Sequence, residues 1–166
     1  MIFFRETSIG KIGIAEKDGY ISHLYLLGDK VPEDMELIET PLIRRAFEQI
    51  ELYLSGQLKE FSLPLMPEGT AFMKSVWQKL LDVPYGQTAS YKDIAIAVGN
   101  PKGVRAVGQA NNRNPIPIII PCHRIIGSNG DLVGYGGGLD MKKRLLGLEG
   151  YRGKGMDSVQ RGKFNA

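Results

Sequence analysis

The chain has 166 residues, 43% of them hydrophobic, with 21 Lys and Arg against 18 Asp and Glu. That length suits one large domain or two small ones with a proper core. The most apolar run, Ile116–Ile120, is too short to span a membrane and sits among Pro115, Pro117 and Pro121.

One cysteine, Cys122, and two histidines, His23 and His123, leave no internal disulfide and no thiolate zinc cluster. No metal and no cofactor are therefore expected. Arg5 and Glu6 interrupt the apolar start, so no signal peptide is expected and the cytoplasm is the expected compartment. Charge is unevenly placed. Residues 1–69 carry 7 basic and 12 acidic side chains, and residues 70–166 carry 14 and 6. A basic second half suits a polyanionic partner, although segregated solvated charges give the same count.

In chain order, Ile2–Phe4, Ile12–Ala15 and Tyr20–Leu27 read as strands, with turns at Ser8–Gly10 and Lys17–Gly19. Thr40 and Pro41 open a helix along which Leu42, Ile43, Ala46, Phe47, Ile50 and Leu54 recur at helical spacing, with Gly56 as its stop. Residues 64–69, with Pro64, Pro67 and Gly69, read as a linker where the charge changes sign. The expected domains are 1–66, an α/β unit, and 67–150, a mostly helical unit.

In the second unit Thr70 caps a helix whose apolar face is Phe72, Val76, Trp77, Leu80 and Leu81. Ser90 caps a short helix, Tyr91–Val98. Gly99-Asn100-Pro101 breaks it, and Lys102–Asn112 forms another helix rich in small residues. Two short helices about such a turn make a helix-turn-helix pattern, which many proteins carry without binding anything. Pro115–Ile126 reads as extended, Gly127–Gly138 as a loop, and Leu139–Leu148 as a last helix. Residues 151–166 read as a mobile basic tail.

The stretch Asn114–Ile126, NPIPIIIPCHRII, carries the chemistry. A lone cysteine is ordinarily a small buried hydrophobe. Here Cys122 lies between Pro121 and the pair His123-Arg124, which can supply the charge a thiolate needs. On a flat strand Cys122 and His123 would point to opposite faces, so the pair works only if the chain turns there or a water bridges them.

This segment resembles the Pro-Cys-His-Arg-(Val/Ile) motif of the O6-alkylguanine-DNA alkyltransferases. The resemblance runs from about Gly69 to Gly150, through VPYGQTASYKDIAIAVGNPKGVRAVGQANNRNPIPIIIPCHRIIG and GYGGGLDMKKRLLGLEG. It implies an α/β first domain with a ribonuclease-H-like sheet and a mostly α second domain with a winged helix-turn-helix-like unit. It also implies repair of O6-alkylguanine, and of O4-alkylthymine, by irreversible transfer of the alkyl group to Cys122. The protein would act once, as a monomer on double-stranded DNA carrying alkylated bases.

By the same resemblance, His123 removes the thiol proton through a water and Glu149 orients His123. Asn114 braces the turn, and Tyr91 donates to N3 of the guanine. Tyr135, Gly136 and Lys142 bound the base pocket, and the carbonyls of Cys122 and Ile125 accept from the guanine amino group. Arg105 fills the gap left by a flipped base, Ala106 and Gly108 allow close approach to the DNA backbone, and Ser90 meets a phosphate. Each has an ordinary alternative: a helix-end carboxylate for Glu149, a turn initiator for Asn114, a core aromatic for Tyr91, a surface charge for Arg105. Three other functions fit parts of the sequence. Non-catalytic damage recognition is opposed by Cys122, a transcriptional alkyl sensor by the absence of a cysteine-rich domain, and a cysteine hydrolase by the need for a distant histidine, which only His23 offers.

Overall fold

The computed structural model describes residues 1–135 and 138–156. The chain forms two compact units. One comprises Met1–Gly69 with Pro115–Ile119, the other Thr70–Asn114 with the chain from Ile120 onward.

The first unit is a three-stranded antiparallel meander, β1 (Ile2–Thr7), β2 (Gly10–Lys17) and β3 (Tyr20–Tyr25), in the order β1-β2-β3. Both turns are where the sequence puts them, and Gly10 and Gly19 there have φ near 103° and 82°, values open to glycine. One face carries Ile12, Ile14 and Leu24 against α1 (Pro41–Leu54). Thr40 caps α1 by accepting from the Ile43 amide at 3.0 Å. The buried stripe of α1 is Ile43, Ala46, Phe47, Ile50 and Tyr53, so the expected Leu54 gives way to Tyr53. Neither sheet edge is bare. Ile2 exchanges hydrogen bonds with Glu36 and Ile38, and Ile21 with Pro64 and Met66. Part of the expected linker thus pairs with β3.

In the second unit α2 (Ala71–Leu81), α3 (Tyr91–Ala97) and α4 (Val104–Asn112) pack on one another. Thr70 caps α2 and Ser90 caps α3. Val76, Trp77 and Leu80 are buried as expected, whereas Leu81 faces outward. Trp77 Nε1 donates to the Ala110 carbonyl at 2.8 Å and so ties α2 to the end of α4. The helix expected from Lys102 begins at Val104, behind Gly103.

Pro115–Ile126 is not a strand. Ile118 has φ near 75°, Cys122–Arg124 form a 3-10 turn, and only Ile125–Ile126, β5, are extended. The prolines remove the amides a ladder would use, so an apolar run alone does not make a strand here. β5 pairs in parallel with β4 (Ala89–Ser90), aligning Ser90 with Ile126. That pairing brings the start of α3 beside the cysteine turn. α5 (Leu139–Leu148) follows as expected. Met156, expected in a free tail, is instead buried with Ile126, Leu132 and Leu146. Among the described residues, no helix is long and apolar enough to cross a membrane.

Candidate active site

The 3-10 turn Cys122–Arg124 is the centre of the site, and all three of its side chains are buried. Three residues per turn spread successive side chains about 120° apart, so neighbours in sequence leave in different directions. Asn114 Nδ2 donates to the Ile120 carbonyl at 2.8 Å, and Asn111 Nδ2 to the Cys122 carbonyl at 3.3 Å. The end of α4 thus braces the turn on both sides of the sulfur.

His123 is fully buried, and its Nε2 lies 2.7 Å from Glu149 Oε2. A carboxylate only accepts, so Nε2 carries the proton and Nδ1 is left as the basic nitrogen. Burial is the largest influence on the imidazole and lowers its pKa. Glu149 opposes this, while the charges of Arg124 and Lys142 add to it. The resting ring is neutral.

Glu149 caps α5 and is buried, not solvated as a helix-end carboxylate would be. It accepts from His123, from Arg124 Nε at 2.8 Å and Nη2 at 3.0 Å, and from the Gly86 amide at 3.1 Å. Those bonds repay the cost of a buried charge against the dipole at the helix end. Gly86 has φ near 77°, and a Cβ there would come within 3.0 Å of the Glu149 carbonyl.

Arg124 was expected to help polarise the thiol. It turns away instead, gripping Glu149 and donating to the Val83 carbonyl at 2.8 Å. The cation whose charge reaches Cys122 is Lys142. Lys142 is fully buried, and its ammonium donates to the carbonyls of Ile125, Val133 and Gly134. Burial lowers its pKa to about 8, against the pull of Cys122. Burial pushes the Cys122 thiol up to about 11, opposed by hydrogen bonding to Asn114, by Lys142 and by Tyr135. The resting cysteine is a protonated thiol that needs a base.

Tyr91, first residue of α3, donates from Oη to the Val133 carbonyl at 2.7 Å. Burial raises its pKa to about 12, so it stays a donor. The Ile125 carbonyl, expected to meet the base, accepts from Lys142 in this structure. The Cys122 carbonyl accepts from Asn111 and from the Ile125 amide. Tyr135 is half-buried in the loop, and Gly136 lies outside the described residues.

On α4 the inward side is Val107, Ala110 and Asn111. Arg105 is exposed, and Ala106 and Gly108 are half-buried. Among the described residues no tight contact explains Gly108, since a Cβ there would meet the Tyr91 ring at 3.9 Å. The Ser90 hydroxyl accepts from the Asp93 amide, and the Ser90 amide donates to Asp93, a reciprocal cap. Sequence reasoning missed Val83, Gly86 and Asn111. The turn VPYG was visible, but nothing in it names Glu149 as its partner.

Two families described from 6-O-methylguanine DNA methyltransferase match the chain: the ribonuclease-like domain over residues 4–67 and the DNA binding domain over residues 71–151. The methylated-DNA–protein-cysteine methyltransferase of Methanosarcina barkeri is 51% identical over 148 residues, 87% of this chain and 93% of that one. The chain belongs to the methylated-DNA–protein-cysteine methyltransferase family. A further methyltransferase of this name, the constitutive one of Bacillus subtilis, is 46% identical over 151 residues, 87% of this chain and 92% of that one. The crystal structure of Mycobacterium tuberculosis OGT in complex with DNA superposes with a TM-score of 0.84 at 40% identity, covering 89% of this chain and 91% of that one. The two-part organisation, a sheet domain followed by a helical DNA-binding domain, is thus that of a methyltransferase of this family.

Proposed function

We propose that this chain repairs DNA by direct reversal, transferring the alkyl group from O6 of guanine to Cys122 in a single turnover. The observation that carries the reading is the buried pair, 2.7 Å apart, between Glu149 at the end of α5 and His123 on the turn that holds the only cysteine. Neutral His123 takes the Sγ proton through an intervening water. Sγ then attacks the alkyl carbon, the C–O6 bond breaks, and its electron pair goes to the purine. Tyr91 gives its proton to N3, exchanging the Val133 carbonyl for the base, and recovers a proton from the imidazolium. The thiol proton ends on the purine, and the product is guanine and a thioether. Water does not hydrolyse a thioether, so the cysteine is consumed. O4-alkylthymine is a secondary substrate.

The target atom is stacked inside the duplex, so the nucleotide must be flipped out. Exposed Arg105 fills its place, while Ala106 and Gly108 let α4 approach the minor groove closely. Ser90 contacts a phosphate through the proton its capping role leaves available, and Tyr135, Gly136, Lys142 and the Ile125 carbonyl enclose the base. In this reading the α2–α4 unit is a winged helix-turn-helix and the first unit a small ribonuclease-H-like sheet. The protein acts in the cytoplasm as a monomer.

The test uses a duplex with O6-methylguanine inside a restriction site that is cut only after repair. Cleavable sites should rise one for one with added protein and stop when the protein is consumed. Continued turnover, or no restored cleavage, would contradict the proposal.

A further inference from the structure

Arg124 is the member of the buried cluster to which the proposed chemistry assigns no step. Its guanidinium donates to both oxygens of Glu149 and to the Val83 carbonyl, and lies 5.7 Å from the Tyr85 ring centre. This geometry is a fixed fork, matched to a carboxylate and roofed by an aromatic.

We propose that Arg124 is a positioning residue for the base: by occupying both oxygens of Glu149, it lets the carboxylate orient His123 without drawing a second proton onto the imidazole. The proposal rests on the alkyl-transfer reading for its purpose, but its physical content is independent of it.

Among the described residues, three charged groups act on the imidazole: Glu149 at the end of α5, Arg124 on the same turn and Lys142 from α5. Glu149 and Arg124 cancel. A proton added to His123 at rest would therefore be an uncompensated buried charge, with the Lys142 ammonium as a further cation nearby. Without the arginine charge, the carboxylate and imidazole would carry one net negative charge. The same proton would then complete a neutral imidazolium–carboxylate pair, and its uptake would be favoured.

This has a consequence for the reaction. With Arg124 present, formation of the Cys122 thiolate is the step of the reaction that compensates a charged imidazole. The proton therefore leaves sulfur for Nδ1 as the thiolate forms, while Nε2 keeps its proton toward Glu149. A resting imidazolium would have no lone pair to receive it. Arg124 thus keeps the base empty until the nucleophile is made.

The test is the protonation state of His123, followed by nitrogen-15 long-range correlation spectra across a pH series in the full-length protein. These spectra distinguish the two neutral tautomers from the cation. Native protein is expected to show neutral His123 with the proton on Nε2 at pH 7. In Arg124→Gln the imidazole should titrate at least about one pH unit higher. The acid limb of the single-turnover transfer rate should move with it, an approximately tenfold loss at pH values below both limbs. Arg124→Lys keeps a charge without the fork and should fall between the two, and it serves if the glutamine variant does not fold.

A native His123 already charged at pH 7 overturns the proposal. So does a folded variant whose rate falls equally at every pH while His123 titrates as in the native protein. If native protein transfers no alkyl group, the function proposed above fails, and the spectra still decide the role of Arg124.

Discussion

Glu149→Gln isolates the carboxylate charge with almost no change of shape. Glu149 accepts from His123 Nε2 at 2.7 Å, from Arg124 Nε and Nη2 at 2.8 and 3.0 Å, and from the Gly86 amide at 3.1 Å. A glutamine oxygen can replace only one side of that set. Its NH2 group must then face either His123 and Arg124 Nη2, or Arg124 Nε and Gly86, donor against donor. Breaking a buried ion pair from one side costs about 3–5 kcal/mol. Arg124 keeps its bond to the Val83 carbonyl, so the lower end, about 3 kcal/mol, is expected. If the NH2 faces His123, Nε2 must become the acceptor and the ring proton moves to Nδ1, removing the base. General-base loss corresponds to roughly 10²–10⁴ in rate. Urea unfolding and quenched single-turnover transfer measure the two effects. A folded variant within about 1 kcal/mol of native stability, transferring within about threefold of the native rate, would refute both the electrostatics and the tautomer argument.

Four further outcomes follow from the geometry. Burial holds the Cys122 thiol at about 11 against an ordinary value of 9.0. Native protein should accordingly react with iodoacetamide at pH 7.5 about 100-fold more slowly than urea-unfolded protein, because thiolate is the reacting form; equal rates would show an activated resting thiol. Tyr91→Phe removes the 2.7 Å bond to the Val133 carbonyl. It should cost about 1 kcal/mol in thermal unfolding and slow transfer by roughly 10². Gly108→Ala meets only an ordinary contact at 3.9 Å. It should stabilise the fold by up to about 1 kcal/mol while weakening duplex binding in a titration, and tighter binding would remove α4 from the DNA interface. Arg105→Ala should slow transfer from duplex DNA and leave reaction with free O6-benzylguanine unchanged; equal losses on both substrates would place Arg105 in the chemistry.

Local signals carried most of the fold. Thr40, Thr70 and Ser90 cap the helices they announce, and α5 spans Leu139–Leu148 as read from the sequence. The hairpin turns were legible from their glycines. Pro115–Ile126 misled because β-branched residues and an apolar run outweigh prolines in a strand reading, while the chain answers to the missing amides. Within the site, the motif located Cys122, His123 and Glu149. It could not reveal which way Arg124 turns, because that depends on a carboxylate 25 residues away and on the Val83 carbonyl. Lys142 was equally opaque, since a lysine in a helix sequence gives no sign that three carbonyls wait for its ammonium. Nor does an ordinary Gly-containing turn disclose that Gly86 donates to Glu149.

In the proposed repair, Cys122 itself receives the alkyl group. Intact-protein mass after incubation with a duplex carrying one O6-methylguanine, with Cys122→Ala as control, measures this directly. A gain of one methyl in place of one hydrogen is expected, mapped to Cys122 and missing from the control. An unchanged mass despite tight, lesion-selective binding would contradict it and leave a damage-recognition protein in its place.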